Sequence, residues 1–123
     1  MICLLAGKVV APLMVGAMTL AWTHSVEKIV WEEDWRATPA GLEIVEARVK
    51  GSGAGMEPPP EARLVNGSYV WKPAVPPQAE VVMRRSGATA DWRICIDGQC
   101  RPMEAYVPPE ADPVVMQMCK SSP

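Results

Sequence analysis

Residues 92–103 read WRICIDGQCRPM, and this stretch decides the class of fold. Asp97-Gly98 is one of the dipeptides that specify a two-residue type I′ turn between antiparallel strands. The second pair outward from that turn is Cys95 opposite Cys100, a non-hydrogen-bonded pair with a short Cα separation. Because that separation lies within the range of a disulfide, we expect Cys95 and Cys100 to be bridged.

The remaining cysteines are Cys3 and Cys119, one near each end of the chain. A bridge between them would tie the two ends together, and the even number of cysteines favours two disulfides in an oxidising compartment. The alternative is a metal site built on the C-x4-C spacing of residues 95–100. That site needs two further ligands at similar spacing, and Cys3 and Cys119 are isolated. We therefore expect no metal and no cofactor.

A second turn dipeptide of this kind occurs earlier in the chain. Asn66-Gly67 is a second type I′ dipeptide between two short apolar runs. The further segments that read as strands are 18–26, 31–36, 42–49 and 79–85. Thirteen prolines and nine glycines leave little room for a long helix. The sequence predicts an all-β fold, a small antiparallel β-sandwich or partly closed barrel built from hairpins.

The organisation along the chain is an all-β domain over residues 18–107 with a segment at each end. Residues 1–17 are apolar, and they fit either a signal-like segment or the first strands. Residues 108–123 contain four prolines, which predicts an extended C-terminal tail running over the surface, tied down by a disulfide. Hydrophobic residues make up 49% of the chain, which is typical of a globular domain.

The balance of charge excludes one class of partner. The net charge is −2, and the lysines and arginines are scattered along the chain. A nucleic-acid surface needs a concentrated basic face, so we expect no nucleic-acid partner.

The candidate site lies on the first alternating strands. A four-residue loop over residues 27–30 would place Trp22 opposite Trp35, and His24 opposite Glu33. Two interpretations of this face stay open. It is either the floor of a ligand pocket, with tryptophan walls and a His–Glu pair as polar anchor, or a satisfied polar pair in a small core.

A second candidate site is the loop over residues 51–60, GSGAGMEPPP. Ser52, Gly53 and Gly55 could present backbone N–H groups to an anion. A structural crossover that needs positive φ explains the same glycines equally well. The loop is long for a strand connection, which favours a functional role.

Catalysis is the alternative to binding. A small hydrolase or metal-assisted enzyme would use His24 with the nearby carboxylates. Ser25 adjoins His24, but neighbouring residues of a strand point to opposite faces and cannot share a proton directly. No nucleophile-elbow sequence is present. We therefore expect a binding module with no catalytic residues.

Several stretches resemble one bacterial family. They are TLAWTHSVEK at 19–28, WEEDW at 31–35, EARVKGSGAGM at 46–56 with PPP at 58–60, WRIC at 92–95 and GQCR at 98–101. The chain resembles a domain of unknown function that is often encoded beside, or fused to, permeases of TAXI-type TRAP transporters. The resemblance implies an extracytoplasmic accessory role near a solute uptake system, periplasmic or membrane-associated. It also implies a permease or solute-binding protein as partner, and it supplies no catalytic residue.

Overall fold

The computed structural model describes residues 1–23, 29–50, 58–85 and 90–120, and these residues form strands with no α-helix. The strands are β1 Ile2–Ala6, β2 Val9–Pro12, β3 Ala17–Thr23, β4 Val30–Thr38, β5 Gly41–Lys50, β6 Arg63–Val65, β7 Ser68–Trp71, β8 Glu80–Met83, β9 Arg93–Ile96, β10 Gln99–Pro102 and β11 Val114–Met118. A single turn of 3₁₀-helix, Met103–Ala105, follows β10.

The strands form two antiparallel sheets. The small sheet has the order β2-β1-β11-β8, and the large sheet has the order β10-β9-β3-β4-β5-β7-β6. Apolar side chains from both sheets meet in one core, so the sheets pack face to face as open layers. The prediction of an all-β sandwich is confirmed.

Both predicted hairpins are present. Asn66 and Gly67 have φ of 49° and 85°, and Asp97 and Gly98 have φ of 51° and 81°. Two successive positive φ angles are what a type I′ turn requires. The turn at Asp97 sets Cys95 directly opposite Cys100, and the two form a disulfide. The expected register and bridge are confirmed.

The small sheet joins the two ends of the chain. Its middle strands are β1 and β11, which pair with each other. Ile2 and Leu4 on β1 and Val114 and Met116 on β11 are fully buried. The Cys3–Cys119 disulfide closes this pairing, as expected. The expectation that the C-terminal segment runs over the surface is wrong, because β11 contributes to the core.

A β-bulge determines which side chains of β5 face the core. The β4–β5 register shifts between Asp34 and Trp35, and Val45 is the extra residue in β5. The core-facing, buried residues of β5 are Leu42, Ile44, Ala47 and Val49. Strict alternation would have put Glu46 and Arg48 on the same face as Ile44. The bulge sends both charged residues to the outer face of the large sheet.

We predict that the two disulfides contribute unequally to stability. Replacing Cys3 and Cys119 together by alanine opens a loop with a sequence separation of 116, whereas the Cys95–Cys100 loop has a separation of only 5. Chain entropy then gives losses of about 5 and about 2 kcal/mol in the free energy of unfolding. Urea denaturation of the two double variants measures the difference. Equal losses in the free energy of unfolding would contradict the prediction that loop length decides each disulfide's contribution.

Candidate functional site

Four tryptophans lie side by side on the core-facing side of the large sheet. Trp22 of β3 is paired with Trp31 of β4, and their rings stack with centroids 6.1 Å apart. The ring of Trp92, just before β9, lies 5.1 Å from that of Trp22. The ring of Trp71, at the end of β7, meets Trp31 edge-on at 6.0 Å. These arrangements are favourable for aromatic pairs. We call the four residues the tryptophan rim.

The rim lies where the core ends. Along β3, Met18 and Leu20 are 5% and 1% exposed, whereas Trp22 is only half-buried. Along β4, Trp35 is buried and Trp31 is half-buried. The rim therefore combines firm packing on one side with an accessible aromatic surface on the other.

Hydrogen bonds fix the Trp92 end of the rim. The Trp92 backbone N–H donates to Asp91, and its indole N–H donates to the Arg84 carbonyl at 2.8 Å. Arg85 in turn donates to both Asp91 oxygens and to the carbonyls of Pro108 and Ala111. A pocket of about 110 Å³ borders Trp22 and Trp92 here. The two arginines that line it, Arg84 and Arg85, form salt bridges with Asp112 and Asp91.

Glu33 is the acidic residue of this face. It lies on β4 between Trp31 and Trp35, and its side chain is half-buried. The Trp35 indole N–H donates to Glu33 Oε1 at 3.2 Å. Within the residues that the structure describes, Glu33 forms no salt bridge. The indole N–H of Trp31 is buried and finds no acceptor in the same part of the chain. Among the described residues, this face therefore has one carboxylate without a salt bridge and one buried indole N–H without an acceptor.

Burial raises the pKa of Glu33 above its ordinary value, and the hydrogen bond from Trp35 offsets only part of this effect. The cause is loss of hydration, because a carboxylate loses solvation among aromatic and aliphatic neighbours. A positive charge placed against Glu33 would restore some of the lost stabilisation.

The outer face of the large sheet carries a different cluster, centred on Arg48. Its guanidinium donates two bonds of 2.8 Å to Asp34 and further bonds to Glu32 and Glu46. The Thr19 hydroxyl also donates to Asp34, at 2.6 Å. The hydrogen bonds from Arg48 lower the pKa of Asp34, with a smaller contribution from Thr19. The hydrogen-bonding groups of this cluster are partners of one another, so we interpret the cluster as a structural network.

The structure tests part of the predicted site. Trp22, Glu33 and Trp35 do share one face of the sheet. The predicted pairing is wrong, however, since Trp22 lies opposite Trp31, Glu33 opposite Leu20 and Trp35 opposite Met18. The observed register of β3 and β4 differs from the predicted one by an even number of residues, which keeps the faces.

Trp35 is core rather than pocket wall, at 6% exposed. The predicted site residues His24, Ser52, Gly53 and Gly55 lie outside the described residues, as does most of the loop over residues 51–60.

Sequence reasoning left three rim residues out of the site: Trp31, Trp71 and Trp92. Trp31 lies two residues before Glu33 in the alternating segment 31–36, so period two places it on the same face, and the use of five tryptophans with no phenylalanine is a further signal. Trp71 and Trp92 come from other hairpins. Only the order of the strands brings them beside Trp22 and Trp31.

A second surface lies on the outer face of the small sheet. Leu5 pairs with both Val10 and Val115, and Val115 pairs with Val82. These four side chains form a continuous row across all four strands, which we call the aliphatic row. Val10 and Val82 are 57% and 53% exposed. Contiguous exposed apolar side chains of this kind mark surfaces that contact other molecules.

Two further properties concern the described part of the chain. No group of three or more histidine, cysteine, aspartate or glutamate residues there could hold a metal ion. Within the same residues, no helix has the length and apolar character needed to cross a membrane.

The fold and the site define a disulfide-bonded β-sandwich with an aromatic rim. The family match makes the assignment more specific. Residues 18–103 match the family described as Domain of unknown function (DUF1850), and the chain belongs to that family. The matched region contains nearly all of the large sheet and the whole rim, whereas β1, β2 and β11 lie outside it. No curated protein and no solved structure matches the chain.

We predict that Glu33→Gln stabilises the protein at neutral pH. Because burial raises the pKa of Glu33, the folded protein holds this proton to a higher pH than the unfolded chain does. The contribution of Glu33 is fully present below its unfolded pKa and is lost as pH rises through the raised folded value. Glutamine stays neutral, so the variant should melt a few degrees higher at pH 7.

The advantage should disappear at acid pH, where Glu33 is neutral in both states of the wild type. Thermal unfolding monitored by circular dichroism across pH measures the effect. The matched control is Glu80→Gln, an exposed strand glutamate of β8 that should leave the midpoint unchanged. A lower midpoint for Glu33→Gln at neutral pH would contradict the prediction.

Proposed function

We propose that this domain is a non-enzymatic binding module that works outside the cytoplasm as an accessory to a solute uptake system. The observation that carries the proposal is the tryptophan rim with Glu33 beside it. Stability alone would favour a charged partner for a half-buried carboxylate, whereas Glu33 forms no salt bridge among the described residues. Half-buried aromatic side chains with a convergent polar group are the usual composition of a binding site.

The two disulfides support the proposed extracytoplasmic location. Cys3–Cys119 and Cys95–Cys100 use all four cysteines of the chain. Structural disulfides persist in oxidising surroundings and are rare where thiols are kept reduced. An extracytoplasmic setting, in the periplasm or at a membrane surface, fits this use of cysteine.

The link to solute uptake comes from the sequence resemblance described above. Domains of that kind are often encoded beside permeases of TAXI-type TRAP transporters. A small module with an accessible rim could present or retain a solute near such a permease. Its partner would then be the permease or the solute-binding protein.

An enzymatic role gains no support from the described residues. Thr19 and Asp34 are the hydroxyl and carboxylate that lie closest together on the outer face, 2.6 Å apart. Arg48 lowers the pKa of Asp34, which makes that carboxylate a poor general base. The alternative of a small hydrolase or metal-assisted enzyme using His24 has no observation in its favour.

The aliphatic row suits contact with the protein partner. It lies on the outer face of the small sheet, away from the core-facing side that carries the rim. A partner bound there would leave the rim open to solute. One surface would then serve docking and the other recognition.

We predict that Glu33→Gln impairs uptake without weakening the fold. Cells that lack this protein would be complemented with the wild type, with Glu33→Gln or with Glu80→Gln. Uptake by the adjacent transporter should fall severalfold with Glu33→Gln alone, because only that variant changes the rim. Full uptake with Glu33→Gln, at equal protein levels, would show that the rim has no role in the function.

We further predict that the aliphatic row holds the partner. The double variant Val10→Lys/Val82→Lys places two charges on the row at exposed positions, so the fold should survive. Affinity capture of the tagged protein, with the adjacent transporter subunits quantified by mass spectrometry, should show at least a roughly tenfold loss, the equivalent of about 1.4 kcal/mol. Val65→Lys, at an exposed valine of β6, is the control. Equal capture by both variants would exclude the row as the docking surface.

A further inference from the structure

The rim has a chemical character that narrows the class of solute, provided that the binding function proposed above is right. Every indole ring presents a negative electrostatic face, and tryptophan is the aromatic side chain that attracts cations most strongly. Four such rings lie in continuous contact here. The surface they form favours a positive charge close to the rings.

Glu33 adds a full negative charge to the same face. It adjoins Trp31 along β4, and Ala47 of β5 separates it from Trp71 across the sheet. Because Ala47 is small and buried, little side-chain volume stands between Glu33 and Trp71. Glu33 is therefore next to the Trp31–Trp71 end of the rim in the sheet, with its Oε1 accepting a hydrogen bond from the Trp35 indole N–H.

The cations that the structure describes near this face have other partners. Arg48 lies on the opposite face, bound by Asp34, Glu32 and Glu46. At the Trp92 end, Arg84 pairs with Asp112 and Arg85 with Asp91. The Trp31–Trp71 end thus combines negative ring faces with a carboxylate that forms no salt bridge among the described residues.

The composition of this end favours an organic cation over other solutes. Calcium and magnesium take six or more oxygen ligands, and Glu33 supplies one carboxylate. A neutral sugar needs several hydrogen-bonding side chains, whereas the described neighbours of Glu33 on this face are mostly apolar. An alkylated ammonium ion carries its charge under apolar groups that can lie against indole rings, and it sheds water easily.

We propose that the Trp31–Trp71 end of the rim binds an alkylated ammonium group, with Glu33 as its counter-ion. Trp22 and Trp31, whose rings stack, and Trp71, which meets Trp31 edge-on, supply the aromatic surface. The proposal names the ligand class for the binding function above. It can be tested separately from the role in uptake.

The test uses choline and its neutral isostere, 3,3-dimethyl-1-butanol, which differ in charge but hardly in shape. Each is titrated into the disulfide-bonded protein while intrinsic tryptophan fluorescence is recorded. Choline should bind at least about tenfold more tightly than the isostere, the discrimination expected from roughly 1.4 kcal/mol of cation–π and ionic attraction. The two ligands bury similar apolar area, so the ratio isolates the charge.

Variants locate the site. Glu33→Gln should weaken choline binding about tenfold and leave binding of the isostere unchanged. Glu80→Gln, on the outer face of the other sheet, should change neither. Since Glu33→Gln is expected to stabilise the fold, loss of binding there cannot be attributed to unfolding.

Three results would overturn the assignment: equal binding of choline and its isostere, no binding of choline at high millimolar concentration, or unchanged choline binding by Glu33→Gln. If choline fails to bind while Glu33→Gln still impairs uptake, the uptake role stands and the ligand class is wrong. If choline binds as expected and uptake is normal in Glu33→Gln, the site is real and the uptake role is wrong.

Discussion

The pairing of β1 with β11 is the interaction on which the rest of the structure depends. These two strands come from opposite ends of the chain, and together they form the middle of the small sheet. Their fully buried side chains cover one face of the large sheet, and Cys3–Cys119 holds the pairing closed. Without this pairing the large sheet would expose an apolar face that a seven-stranded sheet cannot leave in water.

The dimensions of the two sheets explain why a rim exists. The four strands of the small sheet cover only part of the large sheet. The side chains of the large sheet that they cover are the buried ones. Where the cover ends, the chain places tryptophan rather than a polar residue. A large ring can pack on the core with one part and remain accessible with another, which a small aliphatic side chain cannot do. The rim is therefore a consequence of both the layer geometry and the choice of residue.

Glu33 and the Arg48 cluster differ in how far their charges are satisfied. Its carboxylate loses hydration and gains one hydrogen bond from Trp35. The Arg48 cluster, on the other face of the same strands, shows the opposite arrangement, in which every charge has a partner. On one face of this sheet the charges of the Arg48 cluster satisfy one another, and on the other face Glu33 forms no salt bridge among the described residues. Local departures from full satisfaction are expected at functional sites.

Strands β3 to β10, both type I′ hairpins, the register that bridges Cys95 to Cys100 and the all-β class could be predicted from the sequence. These features depend on residues that are close along the chain, where turn chemistry and period-two alternation act directly. The sequence also placed Trp22, Glu33 and Trp35 on one face, because an even shift of register preserves the faces.

Only the tertiary structure decided which strands become neighbours, which residue forms the bulge, and where the core ends. The pairing of Trp22 with Trp31 could not be predicted, because residues 24–29 contain no turn dipeptide that would set the register. The bulge at Val45 redirects Arg48, against strict alternation. The interior position of β11 depends on β1, more than a hundred residues away along the chain. Such contacts form only when distant segments meet, because burial rewards the whole assembled layer and no local pattern records which partner a strand will find.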